Sequence, residues 1–279
     1  MVVLSSNDIR AYLKILQAKG YDIKEITSGQ ECLYVLIRTS SLKEEEMYRV
    51  HGSIETPIII TSDWHIGSKG FYKIAFDFLL KDVEQFGVND VLLAGDLLQG
   101  RGVYRTEMAD LLIPTVGEQI EVAVDLLSKL PARVHLVTGN HEEKIKGSIH
   151  IGLDVLKILS KQLDHVFYYG NVAQFDLNKE YRYMMMHGSG SPTEATSYRV
   201  EKIWRELLFK PNILHIGHTH QLNLVQKGIN KWGIISGTLQ RTSSWLLSKG
   251  FTAKVGWIIL EDIPDPETWK FIFRTPRLR

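Results

Sequence analysis

Five short strings carry the side chains that bind metal ions: Asp63-Trp64-His65, Gly95-Asp96, Gly139-Asn140-His141-Glu142, His187-Gly188 and Gly217-His218-Thr219-His220. They hold five of the ten histidines, so half the imidazoles sit in about one-twentieth of the chain, beside carboxylate and amide oxygens. Mixed nitrogen and oxygen donors suit manganese, iron, zinc, cobalt or nickel better than calcium or magnesium alone. Two ions fit these donors better than one. In an extended Gly217-His218-Thr219-His220 both imidazoles stand on one face, about 6–7 Å apart at the backbone. Catalytic metal pairs sit roughly 3.5–4 Å apart, so each imidazole can serve its own ion. Asp96 is the candidate for a carboxylate shared between the ions. The chemistry open to such a pair is hydrolysis by a bridging hydroxide, with both ions neutralising charge on the group attacked.

The elements that must position these residues are apolar runs. "PIIITS" precedes Asp63, "VLLAG" ends at Asp96, "RVHLVTG" precedes Asn140, "YRYMMM" precedes His187 and "ILHIG" precedes His218. Read as strands, they deliver the polar residues to the crevice beyond strand carboxyl ends, where open α/β sheets bind ligands. Between them lie helical patterns. Phe71, Ala75, Leu79 and Val83 recur at four-residue spacing, a second helix begins near Thr115 with Glu118 placed for a capping box, and "LDVLKILSKQL" forms a third. Ser191-Pro192-Thr193-Glu194 reads as a helix start, with the helix running to about Phe209. "HVFYYG" and "AQFDLN" add strands. The C-terminal part reads as β, with a hairpin around Lys227-Gly228 followed by "WGIIS", "VGWIIL" and "WKFIFRT". Alternation that gives way to strands predicts a layered α/β sandwich.

Residues 1–52 read as a separate accessory element, and 53–279 as the main domain. Ser6 or Asn7 caps a helix with Ile9, Leu13 and Leu16 on one face, Gly20 stops it, and "YDIKEI" and "ECLYVLIRT" form strands around Ser28-Gly29. "KEEEMYRVHG" is a solvated charged stretch after them. The bulk numbers agree with this organisation: 279 residues, 44% hydrophobic and 23% charged, suit one large domain with a small appendage. Thirty-three basic and thirty-two acidic side chains leave +1, so no global charge argues for nucleic acid and any such contact must be local. Cys32 is the lone cysteine, the start lacks a signal-peptide pattern, and no apolar run is long enough to span a bilayer. A soluble cytoplasmic protein that does not enter membranes is expected.

The five strings, in this order, resemble the motifs of calcineurin-like metallophosphoesterases, over about Thr56 to Glu261. The resemblance implies a four-layer αββα sandwich, here with a small N-terminal α/β appendage, and a dinuclear site. It implies that Asp63, His65, Asp96 and His220 hold one ion, manganese foremost, and that Asp96, Asn140, His187 and His218 hold the other. By the same resemblance His141 is not a ligand: it contacts the phosphate, with Asn140, and protonates the leaving oxygen. Family members often continue the second motif as Gly-Asp-x-x-Asp, whereas "GDLLQG" has Gln99 there. That second acid is not usually a ligand, so metal binding is expected to survive while the rate is in question. "SDWHIGSKGF", "GDLLQGRGVY" and "SGTLQRTSSW" are also similar to the small exonuclease subunit of archaeal D-family DNA polymerases and related nucleases. This chain is expected to lack that subunit's additional nucleic-acid-binding domain.

The reading that follows is a phosphodiesterase acting on nucleic acid, a 3′–5′ exonuclease-like DNA nuclease. Arg241, Arg101 and Tyr104 are its substrate-binding candidates. Lys69, Lys73, Arg105, Lys144 and Lys146 could approach backbone phosphates, and Trp64, Phe71 and Trp245 could stack bases. Two rivals stay open. A phosphomonoesterase or phosphoprotein phosphatase is not excluded, although the Asp-Arg-Gly expected for that branch is absent from "GDLLQGRG". A non-catalytic scaffold on the same fold is opposed by the complete donor set. Residues 1–52 are candidates for binding a protein partner or a second copy.

Overall fold

Strands buried on both faces need apolar residues at every position, and the runs Ile58-Ile59-Ile60 and Val91-Leu92-Leu93 meet that need. The structure, a computed structural model, describes residues 13, 21–28, 31–38, 48–103, 107–147, 154–190, 193, 195–261 and 269–276. The chain divides into two units, Met1–Arg49 and Val50–Arg279. In the first, β1 (Tyr21–Ser28) pairs antiparallel with β2 (Glu31–Arg38); its expected helix lies outside the described residues except at Leu13, which is helical.

The second unit follows the order β3 (Ser53–Ile54), β4 (Ile58–Thr61), α1 (Lys73–Phe86), β5 (Asp90–Leu93), α2 (Val116–Ser128), β6 (Arg133–Leu136), α3 (Asn140–Gly147), α4 (Val155–Gln162), β7 (Val166–Tyr168), β8 (Val172–Leu177), β9 (Tyr181–Met186), α5 (Tyr198–Glu206), β10 (Ile213–Ile216), β11 (Leu222–Gly228), β12 (Lys231–Ser236), α6 (Ser244–Ser248), β13 (Trp257–Leu260) and β14 (Phe271–Arg274). They build two six-stranded sheets, ordered β14-β13-β4-β5-β6-β7 and β11-β12-β10-β9-β8-β3. The strands β4 to β7 run parallel, as do β9, β10 and β12. Alternate side chains divide the core. Ile58, Ile60, Leu92, Ile258 and Leu260 meet Phe175, Tyr183, Met185 and Ile234 between the sheets. Ile59, Val91, Leu93, Val134 and Ile259 turn the other way, onto Phe76, Leu79, Val83, Leu127 and Leu159 of the helices. With α5 against β10 and β12 on the far face, the layers are αββα. No helix among the described residues is long and apolar enough to cross a membrane.

The Thr115 cap forms as its spacing predicts, its hydroxyl accepting from the Glu118 backbone N–H at 3.3 Å. Three boundaries differ from expectation. Helix α1 starts at Lys73, and Phe71 lies ahead of it, bridging backbone to backbone with Gln240. Helix α5 starts at Tyr198 rather than near residue 191 and ends at Glu206, short of Phe209. Thr193 spends its hydroxyl on the Ala195 carbonyl (2.8 Å), a local turn that competes with helix, while Ser191, Pro192 and Glu194 lie outside the described residues. Beyond Glu206 the Lys210 ammonium caps the carbonyls of Trp204, Arg205 and Leu207. The hairpin expected around Lys227-Gly228 turns at Ile229-Asn230, because β11 continues through Lys227-Gly228 with a register shift after Gln226.

Two buried polar groups make stability predictions. Asp82 of α1 accepts Trp257 Nε1 (2.9 Å) and both Nε and Nη2 of Arg274 (2.7 Å each), tying the helix to β13 and β14. Asp82→Ala leaves three donors without their acceptor and is expected to cost about 2–4 kcal/mol in urea denaturation. His215 of β10 is fully buried, with Nδ1 on the Tyr183 hydroxyl (2.9 Å), and burial holds it neutral, down at about 3 from its ordinary 6.5. The unfolded chain takes up this proton below pH 6.5 while the fold refuses it until about 3, so the contribution to stability is full above 6.5 and lost as pH falls through that window. His215→Gln should therefore flatten the acid side of the stability–pH curve relative to wild type.

Candidate metal centre

Both sheets present strand carboxyl ends to one rim, and the loops leaving β4, β5, β6, β9 and β10 bring Asp63 and His65, Asp96, Asn140 and His141, His187, and His218 and His220 together. The backbone there is unusual. Asp63 (φ 52°), His65 (52°), Asp96 (52°), His218 (73°) and His220 (55°) all lie in the left-handed region. Each costs about 1–2 kcal/mol for a residue with a Cβ, and such residues gather where surrounding contacts over-determine the chain. Gly217-His218-Thr219-His220 is thus not extended as expected. The two left-handed residues curl the segment and send its imidazoles to different clusters.

In the first cluster, Nε2 of His65 and Nε2 of His220 lie 3.0 Å apart, facing Asp63 Oδ1 at 3.7 and 3.4 Å. Asp63 Oδ2 is spent on the His218 backbone N–H (2.8 Å) and the Ser62 hydroxyl. Its Oδ1 is buried with no hydrogen-bond partner. In the second, His218 Nδ1, His187 Nε2 and Asn140 Oδ1 are mutually 2.6–3.2 Å apart. His187 Nδ1 donates to the Ala94 carbonyl (2.7 Å), which leaves Nε2 to face the cluster. Asp96 Oδ2 stands between the two groups, 3.1 Å from His187 Nε2 and 3.8 Å from His65 Nε2.

This arrangement fits a pair of divalent ions. Two ligands about 2.1 Å from one metal lie roughly 3.0–3.4 Å apart as the angle between them opens from square to tetrahedral, and the two Nε2 atoms, 3.0 Å apart, are at the short end of that range. An orphaned buried carboxylate oxygen aimed at that pair is a donor awaiting a cation. The electrostatics agree. Burial pushes Asp63 and Asp96 up, but the surrounding histidines outweigh it and hold both well below the usual carboxylate range. Burial takes His65 down to about 4, helped by charge on His141. Burial also opposes charge on His187, yet Asp96 beside it outweighs that and raises it to about 10.

His141 occupies a different place. It begins with Asn140 the helix α3, which the sequence did not reveal, and its backbone N–H donates to Asp96 Oδ1 (2.9 Å). Its Nδ1 donates to the Gln99 carbonyl (2.6 Å), and Nε2 lies 3.9 Å from Asp96 Oδ2. Glu142, for which no role was foreseen, holds the loops: its carboxylate accepts the N–H of Asp96 (3.0 Å), Leu98 (2.9 Å) and Gly139 (2.9 Å). The Gly139 bond is the reciprocal half of a capping box, so Gly-x-x-Glu was the available signal. Burial and the charge of Asp96 raise its carboxyl to about 7. A Cβ at Gly139 would lie 2.0 Å from Asp96 Oδ1, which requires glycine there.

The substrate-side candidates are less unified. The Arg241 guanidinium is exposed and rests on the Tyr72 ring, 4.1 Å from its centroid. Arg101 is exposed, two residues after Gln99, whereas Tyr104 and Arg105 lie outside the described residues, as does the Trp245 side chain. Trp64 cannot stack a base: it is fully buried, bonded through Nε1 to Thr61 Oγ1 (3.0 Å) and packed on Phe76. Lys69 and Lys144 donate to the carbonyls of Ala109 and Val103, and Lys73 and Lys146 pair with Asp77 and Asp154.

Residues 56–248 match the calcineurin-like phosphoesterase family, and the chain belongs to it. Among curated relatives, the DNA polymerase II small subunit of Pyrococcus furiosus is 31% identical over 153 residues, 49% of this chain and 25% of that one. That of Archaeoglobus fulgidus is 24% identical over 210 residues, 58% of this chain and 42% of its own length. The chain thus spans a quarter to about two-fifths of these relatives. Among solved structures, a novel archaeal phosphodiesterase aligns with a TM-score of 0.46 at 13% identity, covering 78% of this chain and all of that one.

Proposed function

We propose that this chain is a dinuclear phosphodiesterase that cleaves nucleic acid, as a 3′–5′ exonuclease-like DNA nuclease. The observation that carries it is Asp96 Oδ2, placed between two donor clusters with His141 Nε2 alongside. Asp63, His65, Asp96 and His220 would hold one ion, and Asp96, Asn140, His187 and His218 the other. The donors suit manganese first, with iron, zinc, cobalt and nickel also accommodated. When bound, such ions supply Lewis acidity and a water that ionises near neutral pH.

The chain's own residues do the rest. Nδ1 of His141, committed to the Gln99 carbonyl, turns Nε2 toward the centre, where it protonates the leaving oxygen as the P–O bond breaks and water's oxygen takes its place on phosphorus. Asn140 and His141 contact the phosphate. Arg241, held over Tyr72, and Arg101 neutralise backbone phosphates farther along the strand. The nucleic-acid assignment draws support from relatives named as DNA polymerase subunits. Residues 1–52 are the element we assign to a protein partner or a second copy.

The test uses metal-stripped protein reloaded with Mn²⁺ and end-labelled single- and double-stranded DNA. A ladder shortening from the 3′ end, absent with Asp96→Asn and His218→Ala, is expected. Intact DNA alongside cleavage of small diesters or monoesters would overturn the nuclease assignment.

A further inference from the structure

A glutamine on the apolar face of α2 has no place in the chemistry above. Val116, Gln119, Ala123, Leu126 and Leu127 are the buried residues of this helix, and Gln119 is fully buried among them. A buried carboxamide must find partners, and this one finds three. Its Oε1 accepts the Gly100 N–H at 2.8 Å, and its Nε2 donates to the carbonyls of Gly100 (2.9 Å) and Ile113 (2.8 Å). Its flat face lies on Gly67, where a Cβ would come within 2.4 Å of the Gln119 Cδ.

The Gly100 N–H belongs to the same peptide plane as the Gln99 carbonyl, the acceptor of His141 Nδ1. In a trans peptide these two groups point in opposite directions from one rigid plate. Fixing the N–H on Gln119 therefore fixes the direction of the C=O, and with it the ring of His141. The Gln99 N–H is held separately by the Ile66 carbonyl (2.8 Å), so rotation of the 99–100 plate is the freedom that Gln119 removes. We propose that Gln119 is a positioning residue that aims His141 by clamping the Gln99–Gly100 peptide. This rests on reading His141 as the proton donor to the leaving group.

The consequence is selective. A misaimed acid matters for an alkoxide leaving group and hardly at all for nitrophenolate, which departs without a proton. The experiment compares Mn²⁺-loaded wild type, Gln119→Met, Gln119→Glu and His141→Ala on a nitrophenyl diester and on a DNA diester. It includes the Gln119→Met/His141→Ala double variant and, on protein loaded with diamagnetic Zn²⁺ in place of Mn²⁺, ¹⁵N-histidine spectra of the His141 Nδ1–H.

Gln119→Met is expected to lose about tenfold on the DNA diester and less than about threefold on the nitrophenyl diester. It should cost nothing further in the His141→Ala background, and the hydrogen-bonded Nδ1–H signal should broaden. Gln119→Glu, which keeps the acceptor for the Gly100 N–H, should restore part of the DNA activity. Equal losses on both substrates, additive losses in the double variant, an unchanged Nδ1–H signal in Gln119→Met, or failure of both variants to fold would each overturn the proposal. If His141→Ala itself shows no preference between leaving groups, the acid assignment fails, and the Nδ1–H signal still decides whether Gln119 aims the ring.

Discussion

Asp96→Asn is expected to lower diester hydrolysis by about 10³–10⁴-fold, since metal charge stabilisation is worth several kcal/mol and each 1.4 kcal/mol is tenfold. The expectation comes from the geometry of one atom. Asp96 Oδ2 is the carboxylate oxygen that reaches both His187 Nε2 and His65 Nε2, so neutralising it weakens both clusters together. The remaining contacts should persist, because the Asp96 backbone N–H stays on Glu142 and its carbonyl still accepts the His65 N–H at 3.0 Å. Circular dichroism matching wild type, with steady-state rates on a nitrophenyl diester, separates loss of chemistry from loss of fold. Wild-type rates in this variant would remove Asp96 from the reaction.

His141→Ala makes the second large effect, and its pattern is different. General acids contribute about 10²–10⁴-fold, and that range is expected to be lost on an unactivated DNA diester while a nitrophenyl diester is cleaved nearly as before. Metal content should not change, because His141 Nδ1 is committed to the Gln99 carbonyl and its Nε2 lies 3.9 Å from Asp96 Oδ2, farther than His187 Nε2 at 3.1 Å. A loss of bound metal in His141→Ala would instead make it a ligand, a role allowed by the grouping of its ring with His65 and Asp96.

Much of this architecture could be read along the chain because its physics is local. Continuous apolar runs such as Ile58-Ile59-Ile60 are legible as doubly buried strands, and the polar residue following each run is legible as a rim residue. Thr115 and Glu118 announce a helix start because a cap is a short-range bond. The left-handed conformations of Asp63, His65, Asp96, His218 and His220 were not legible. Aspartate and histidine visit that conformation more often than most residues, but which of them do so here is set by tertiary contacts such as the Asp63 N–H to the Gly95 carbonyl (3.0 Å). For the same reason the Gly-His-Thr-His segment curls where local preference favours extension.

Tertiary override also explains Trp64 and Gln119. Between Asp63 and His65, Trp64 looked available to a base, yet its ring is more stable in the core, with Thr61 satisfying its N–H. Gln119 drew no notice along the chain, because its meaning depends on a loop nineteen positions earlier. Glu142 occupies the middle ground: its bond to Gly139 is local, whereas those to Asp96 and Leu98 join loops from different strands.

The most direct test of the two-ion centre is a metal count. Protein stripped with chelator, reloaded with Mn²⁺ and desalted would be measured by atomic emission for wild type and Asp96→Asn. Two ions per chain in wild type and no more than one in Asp96→Asn are predicted. One ion per chain in wild type, or two in both proteins, would contradict the shared-carboxylate centre.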